Sequence, residues 1–165
     1  MSRPRVHLCL GSNLGDRLFH LAFGVSALDR AGVEILRRSS IYETEPTDLE
    51  DQPWFLNQVL AVETELAPAD LLALIQDIER TVGPRCGIRF GPRALDIDIL
   101  LIEGRIVDEP ALRIPHPRLL ERRFMLTPLI EIAPDIVDPR DGHRLIEDLE
   151  GLDGKKVTPF RAHAS

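Results

Sequence analysis

Apolar and polar positions follow two rhythms along this chain. A period near two, rich in branched residues, marks strands, and a period of three to four marks helices. Val6–Leu10 is a short apolar run that predicts a buried strand. It runs into Gly11-Ser12-Asn13-Leu14-Gly15-Asp16, where the glycines let the backbone turn tightly. Leu18, Leu21, Ala22, Val25 and Leu28 recur at helical spacing and predict a helix to about Asp29, capped by Asp16 and ended by Gly32. Val33–Thr44 reads as one long strand and Trp54–Thr64 as another, around the polar loop Thr44–Pro53. Two strands around one loop are expected to pair antiparallel. Pro68 and Asp70 open a second helix, with Leu71, Leu74, Ile75, Ile78 and Val82 as its buried stripe. Gly83–Pro92 is a loop, and Gly91–Leu101 leads into the third strong strand. Glu103-Gly104-Arg105 predicts a turn and Arg105–Val107 a short return strand. Phe124–Ile132 predicts a helix with Pro128 early in it, and His143–Glu150 a short further helix.

Length and charge narrow the class. The 165 residues fit one domain, 1–165, with a tail expected to be poorly ordered after about 155. The net charge of −7 argues against general nucleic-acid binding. It leaves a small anionic ligand open, because Arg80, Arg85, Arg89, Arg93, Arg113, Arg118, Arg122 and Arg123 are gathered in two stretches. Cys9 and Cys86 make neither a metal spacing nor a disulfide framework, so a cytoplasmic, reducing compartment is the expectation. No run approaches ~18 apolar residues, so no membrane span is expected, and the N-terminus carries no long apolar segment of a signal peptide.

The chemistry centres on Asp96 and Asp98. Two apart in a strand, they project from one face about 7 Å apart, while Leu95, Ile97 and Ile99 take the other face. Such a pair can clamp a hard cation such as Mg²⁺. Arg93 stands just upstream on the Gly91-Pro92 turn, and an acidic pair beside a guanidinium suits phosphoryl chemistry. The same pattern also describes a solvated strand face with a structural Arg. Asn57 interrupts an apolar strand and needs partners, which either a heterocycle edge or a neighbouring loop supplies. Gln76 and Glu79 share one side of their helix, as any solvated face does.

Five segments, taken together, resemble the 6-hydroxymethyl-7,8-dihydropterin pyrophosphokinase family of folate biosynthesis. They are Leu10–Arg17 (LGSNLGDR), Ser39–Pro46 (SSIYETEP), Asp51–Val59 (DQPWFLNQV), Gly91–Leu101 (GPRALDIDILL) and Ile114–Asp135, which contains PHPRLLERRF. The resemblance implies an α+β, ferredoxin-like antiparallel sheet with helices on both faces. It implies transfer of the β,γ-diphosphate of ATP to the hydroxymethyl oxygen of the dihydropterin, leaving AMP. Asp96 and Asp98 would hold two Mg²⁺ ions, and Arg93 would bind the transferring phosphates. Gln76, Glu79, Ile99, Arg113, His116 and Arg122 would make up the rest of the ATP set. Phe55 and Phe124 would sandwich the pterin, Asn57 would bond its edge, and Thr44, Glu45, Pro46, Thr47 and Phe90 would complete that pocket. The loop Gly83–Pro92 carries Pro84-Arg85 where relatives often carry more arginines, so Arg85 is expected to take over the phosphate contact in catalysis. The expected partners are ATP and the pterin, with no nucleic acid and no membrane, for a monomer. The rivals are another Mg²⁺-dependent nucleotide-handling enzyme and a ferredoxin-like module that binds a small molecule without catalysis.

Overall fold

The computed structural model describes residues 3–83 and 91–161. Strand β1, Val6–Ser12, is buried along its whole length. Helix α1 spans Arg17–Arg30, and the Asp16 carboxylate accepts the Phe19 N–H as its cap. The segment expected to form one strand over 33–44 is divided into β2, Glu34–Arg38, and β3, Tyr42–Thr44. Both lie against β4, Phe55–Glu63. Ser39 accounts for the break. Its N–H donates to the Val59 carbonyl at 2.8 Å, while its hydroxyl accepts the Val59 N–H at 2.9 Å. A side chain there does the work of a backbone acceptor, so the ladder steps.

Helix α2, Pro68–Val82, starts on its proline as expected. Strand β5, Asp96–Ile102, follows the loop. The expected return strand at Arg105–Val107 is instead β6, Val107–Glu109, paired with β7, Leu112–Ile114, and Arg105 makes only an isolated bridge to Ile102. Gly104, at φ +71°, folds the chain back too sharply for a longer ladder there. Helix α3, Arg123–Ile132, contains Pro128 in its middle rather than early. The proline lacks the N–H that would pair with the Phe124 carbonyl. Helix α4 is Leu145–Glu150. Residues 157–160 fall in the tail expected to lose order, yet Val157–Pro159 forms β8 on the edge of β3. The Phe160 N–H donates to the Ile41 carbonyl at 2.8 Å, and the Arg17 guanidinium lies 5.8 Å from the Phe160 ring centre.

The main sheet runs β5-β1-β4-β3-β8, with β2 also on β4, and all its pairings are antiparallel. With β1 between β5 and β4, and α1 and α2 as crossovers, this is the ferredoxin-like α+β arrangement. Alternation along the strands makes two cores. Leu8, Leu10, Leu60 and Ile97 pack on α1 and α2, whereas Cys9, Val59, Leu100 and Leu101 pack on α3 and α4. Helices therefore cover both faces. Among the described residues no helix is long and apolar enough to cross a membrane. On the α3 face the cover is incomplete. Phe55, Asn57, Gly11, Asp96 and Asp98 belong to the strand ends that line an open cleft, where α3 begins.

Two histidines give the fold opposite pH responses. His7, 1% exposed, has no partner for Nδ1, and burial lowers its pKa to about 4. The folded state holds it neutral, so stability falls as pH drops from about 6.5 towards 4, by about 3 kcal/mol for a shift of this size. His143 sits between Asp141 and Asp148, whose hydrogen bonds raise its pKa to about 9. Its contribution is complete below about 6.5 and is lost as pH rises through 9. His7→Leu is expected to flatten the acid side of the thermal-midpoint profile and leave the alkaline side unchanged. An unaltered acid limb would remove His7 as its cause.

Candidate active site

Antiparallel pairing brings the decisive residues to one end of the sheet. The C-terminal end of β1 lies between the N-terminal ends of β4 and β5, with Gly11 opposite both Asn57 and Asp96, and Cys9 opposite both Val59 and Asp98. The cleft there measures about 350 Å³. The loop after β3 forms one wall with Thr44, Glu45, Pro46, Thr47, Asp48 and Gln52. Gly91, Arg93, His116, Arg118, Arg122 and Phe124 form the others.

One half of the cleft suits a flat ligand. Phe55 and Phe124 line it, together with Asn57, 3% exposed. The Thr44 hydroxyl donates to Asn57 Oδ1 at 2.5 Å, which fixes the amide's orientation. Among the described residues Asn57 Nδ2 makes only long contacts, 3.5 Å to the Leu10 carbonyl and 3.9 Å to Cys9 Sγ, so its N–H groups are poised to donate to a ligand. Gly11 is required for space here. A Cβ at that position would stand 2.7 Å from Asn57 Nδ2.

The other half is charged. Arg93 Nη1 donates to Asp96 Oδ1 at 2.9 Å. Asp98 lies one pleat further on, and burial with the like charge of Asp96 raises its pKa well above the usual carboxylate range, against the pull of Arg122. Two crowded carboxylates of this kind are the donor set whose repulsion a divalent cation relieves, so the residues fit Mg²⁺. His116 Nε2 is 3.9 Å from Asp98 Oδ1, and its Nδ1 accepts the Arg118 N–H at 3.1 Å. Burial and the nearby Arg122 charge lower its pKa to about 4. His116 is thus neutral, with its proton on Nε2 facing the cleft, and it serves as a hydrogen-bond donor rather than a cation. Burial raises the Cys9 thiol, helped by Asp98 and Asp96, so it stays protonated.

Twelve of the residues singled out in the sequence line this cleft: Thr44, Glu45, Pro46, Thr47, Phe55, Asn57, Arg93, Asp96, Asp98, His116, Arg122 and Phe124. Four do not line it. Gln76 is exposed on α2, and Glu79 Oε2 accepts the Ile97 N–H at 2.9 Å, bracing β5 from its other side. The Ile99 side chain is buried in the α1–α2 core, and Arg113 is exposed on β7, 3.6 Å from Asp108. Arg85 and Phe90 lie outside the described residues. The sequence reading gave no site role to Cys9, Asp48 or Gln52, which line the cleft, and saw Gly11 and Arg118 only as a turn glycine and one arginine of a cluster. Asp48 is the most consequential of these. It accepts from Arg118 at 2.8 Å and from Arg122 at 2.9 Å, so a carboxylate of the chain occupies two of the three guanidiniums that line the cleft among the described residues.

A ferredoxin-like sheet whose open end joins an aromatic slot to an acid-and-arginine cleft has the parts that a phosphoryl-group transferase needs. The model of the family described as 7,8-dihydro-6-hydroxymethylpterin-pyrophosphokinase matches residues 7–134, and the chain belongs to that family. It is 44% identical over 131 residues to the 2-amino-4-hydroxy-6-hydroxymethyldihydropteridine pyrophosphokinase of Bacillus subtilis, across 79% of this chain and 78% of that protein. The enzyme of the same name from Methylorubrum extorquens is 45% identical over 134 residues, across 81% and 85%. The folic acid synthesis protein fol1 of Pneumocystis carinii is 39% identical over 158 residues, and the chain spans only 21% of its length. The fold resembles the crystal structure of wild-type Plasmodium falciparum HPPK-DHPS with a TM-score of 0.70 at 14% identity, covering 90% of this chain and 44% of that one.

The Asp48 bridge makes a direct forecast. Asp48→Asn is expected to free Arg118 and Arg122 and to tighten binding of an unreactive ATP analogue a few-fold, on the order of 1 kcal/mol for two partly exposed ion pairs. Calorimetry showing weaker binding would mean that Asp48 organises the anion site rather than competing for it.

Proposed function

We propose that the chain transfers the β,γ-diphosphate of ATP to 6-hydroxymethyl-7,8-dihydropterin in folate synthesis. The hydroxymethyl oxygen bonds to the β-phosphorus and gives up its proton to solvent, the bond from that phosphorus to the α-phosphate oxygen breaks, and AMP leaves with the electron pair. The observation that carries the reading is that the aromatic–amide slot and the acid–arginine half share one cleft, floored by adjacent strands. Such a cleft supports a reading in which a flat acceptor lies beside a polyphosphate donor.

Each residue then has a task. Phe55 and Phe124 stack on the pterin, and Asn57, with its oxygen engaged by Thr44, donates N–H groups to a ring acceptor. Arg93 holds a transferring phosphate while its other face stays fixed on Asp96. His116 donates Nε2–H to a phosphate oxygen, and Arg122 supplies charge once Asp48 releases it. Asp96 and Asp98 hold Mg²⁺, taken here as two ions, which when bound neutralises phosphate charge and favours in-line transfer. The chain's remaining contribution is positioning, because the acceptor brings its own hydroxyl as nucleophile. Arg85 is assigned to phosphate contact, and Gln76, Glu79, Ile99 and Arg113 to the surroundings of ATP. Glu79, next to the Asp98 charge, acts there through the strand it braces. The proposal extends to a monomer of one domain working in the cytoplasm, in keeping with the free, buried thiol of Cys9.

Two experiments test this reading. ATP is expected to be consumed only with both Mg²⁺ and the dihydropterin present, giving AMP; formation of ADP would mean a simple kinase and would sink the proposal. Phe124→Ala is expected to weaken pterin binding by about 1–3 kcal/mol, by analogy with base stacking, and to spare an ATP analogue. Equal losses for both ligands by calorimetry would make Phe124 a packing residue.

A further inference from the structure

Asn13 stands outside the cleft lining, yet its amide is tied to both halves. It is buried, 2% exposed, at the end of β1. Its Nδ2 donates to Gln52 Oε1 and to the Pro53 carbonyl, both at 2.9 Å. Its Oδ1 accepts the Arg93 N–H at 2.7 Å, and its own N–H donates to the Arg93 carbonyl at 3.0 Å. Both amide hydrogens and the amide oxygen are thus engaged, and only an amide has this set of donors and acceptor.

The connections continue outward. Gln52 Nε2 donates to the Leu49 carbonyl at 2.6 Å, which anchors the loop bearing Thr44–Asp48 on the heterocycle side. Arg93 donates to Asp96, which belongs to the phosphate side. The two loops are separated in sequence by β4 and α2, and Asn13 is bonded to both. We infer that Asn13 is a positioning residue, which holds the heterocycle half of the cleft in register with the phosphate half. The inference rests on the proposed transfer reaction. That reaction needs the acceptor oxygen and the phosphorus aligned to within a fraction of an ångström, whereas each ligand alone needs only its own half.

Asn13→Asp separates the two connections. It keeps an oxygen to accept the Arg93 N–H, but it turns an acceptor towards the Pro53 carbonyl, which has nothing to donate. Gln52→Leu removes the side-chain part of that connection, together with the Leu49 bond, and leaves Asn13 with its bonds to the Pro53 carbonyl and to Arg93. Wild-type release of AMP is measured first, so a failure of the reaction reading shows before any variant is compared. Each variant is then assayed for kcat and for binding of the pterin and of an unreactive ATP analogue separately, with thermal unfolding on the same samples. The expected result is a kcat at least tenfold lower in both variants, each ligand's Kd within threefold of wild type, and a double variant no worse than the more impaired single one. A kcat within threefold of wild type in a folded variant overturns the inference. So does a kcat loss matched by equal weakening of one ligand, or by a multiplicative double variant. If Asn13→Asp fails to fold, Gln52→Leu decides by the same limits.

Discussion

Two like charges on one strand set the terms for this cleft. Asp96 and Asp98 project from the same face of β5, and burial makes their repulsion costly enough to raise the Asp98 pKa. Isolated carboxylates in such a place would neutralise themselves with protons. Here Arg93 compensates the first, Arg122 and Arg118 stand near, and a divalent cation would complete the balance. The sheet makes this possible. Glu79 braces the start of β5 at the Ile97 N–H, and Gly11 leaves room for Asn57 on the neighbouring strand.

The same electrostatics explains the loop after β3. Without a polyphosphate, two guanidiniums face a partly buried cleft, and Asp48 meets both. The contact would therefore compete with a more highly charged ligand for the two guanidiniums. Asn13 limits how far the loop can depart, because Gln52 and Pro53 stay bonded to the end of β1.

Much of the fold was legible because local chemistry and global role coincide. Asp16 caps α1, Pro68 opens α2, and the alternation of Leu95, Ile97 and Ile99 with Asp96 and Asp98 places core and cleft on opposite faces. Asn57 was legible as a buried polar group in need of partners, and Thr44 is one of them. The break at Ser39 was not, because it depends on a hydroxyl meeting Val59 across the sheet. Asp48 looked like one acid among several, and its partners lie 70 and 74 residues away. Asn13 read as turn chemistry beside glycines, since nothing local shows that Arg93 and Gln52 converge on it. Order in residues 157–160 likewise comes from β3 and Arg17, far along the chain.

The central claim is that the Asp96–Asp98 pair is the cation clamp of the cleft. The chain holds a second acid-rich group, Asp138, Asp141 and His143, whose ligand atoms lie within 4.8 Å of one another. There Arg140 engages Asp138 at 2.6 Å and His143 is bonded to Asp141 and Asp148, so its charges are already paired. Paramagnetic broadening of backbone amide signals by Mn²⁺, added as a stand-in for Mg²⁺ with an unreactive ATP analogue, separates the two. Selective broadening at 96–98 and around His116, with 138–143 sharp, is the expected result. Broadening at 138–143 with 96–98 unaffected would contradict it.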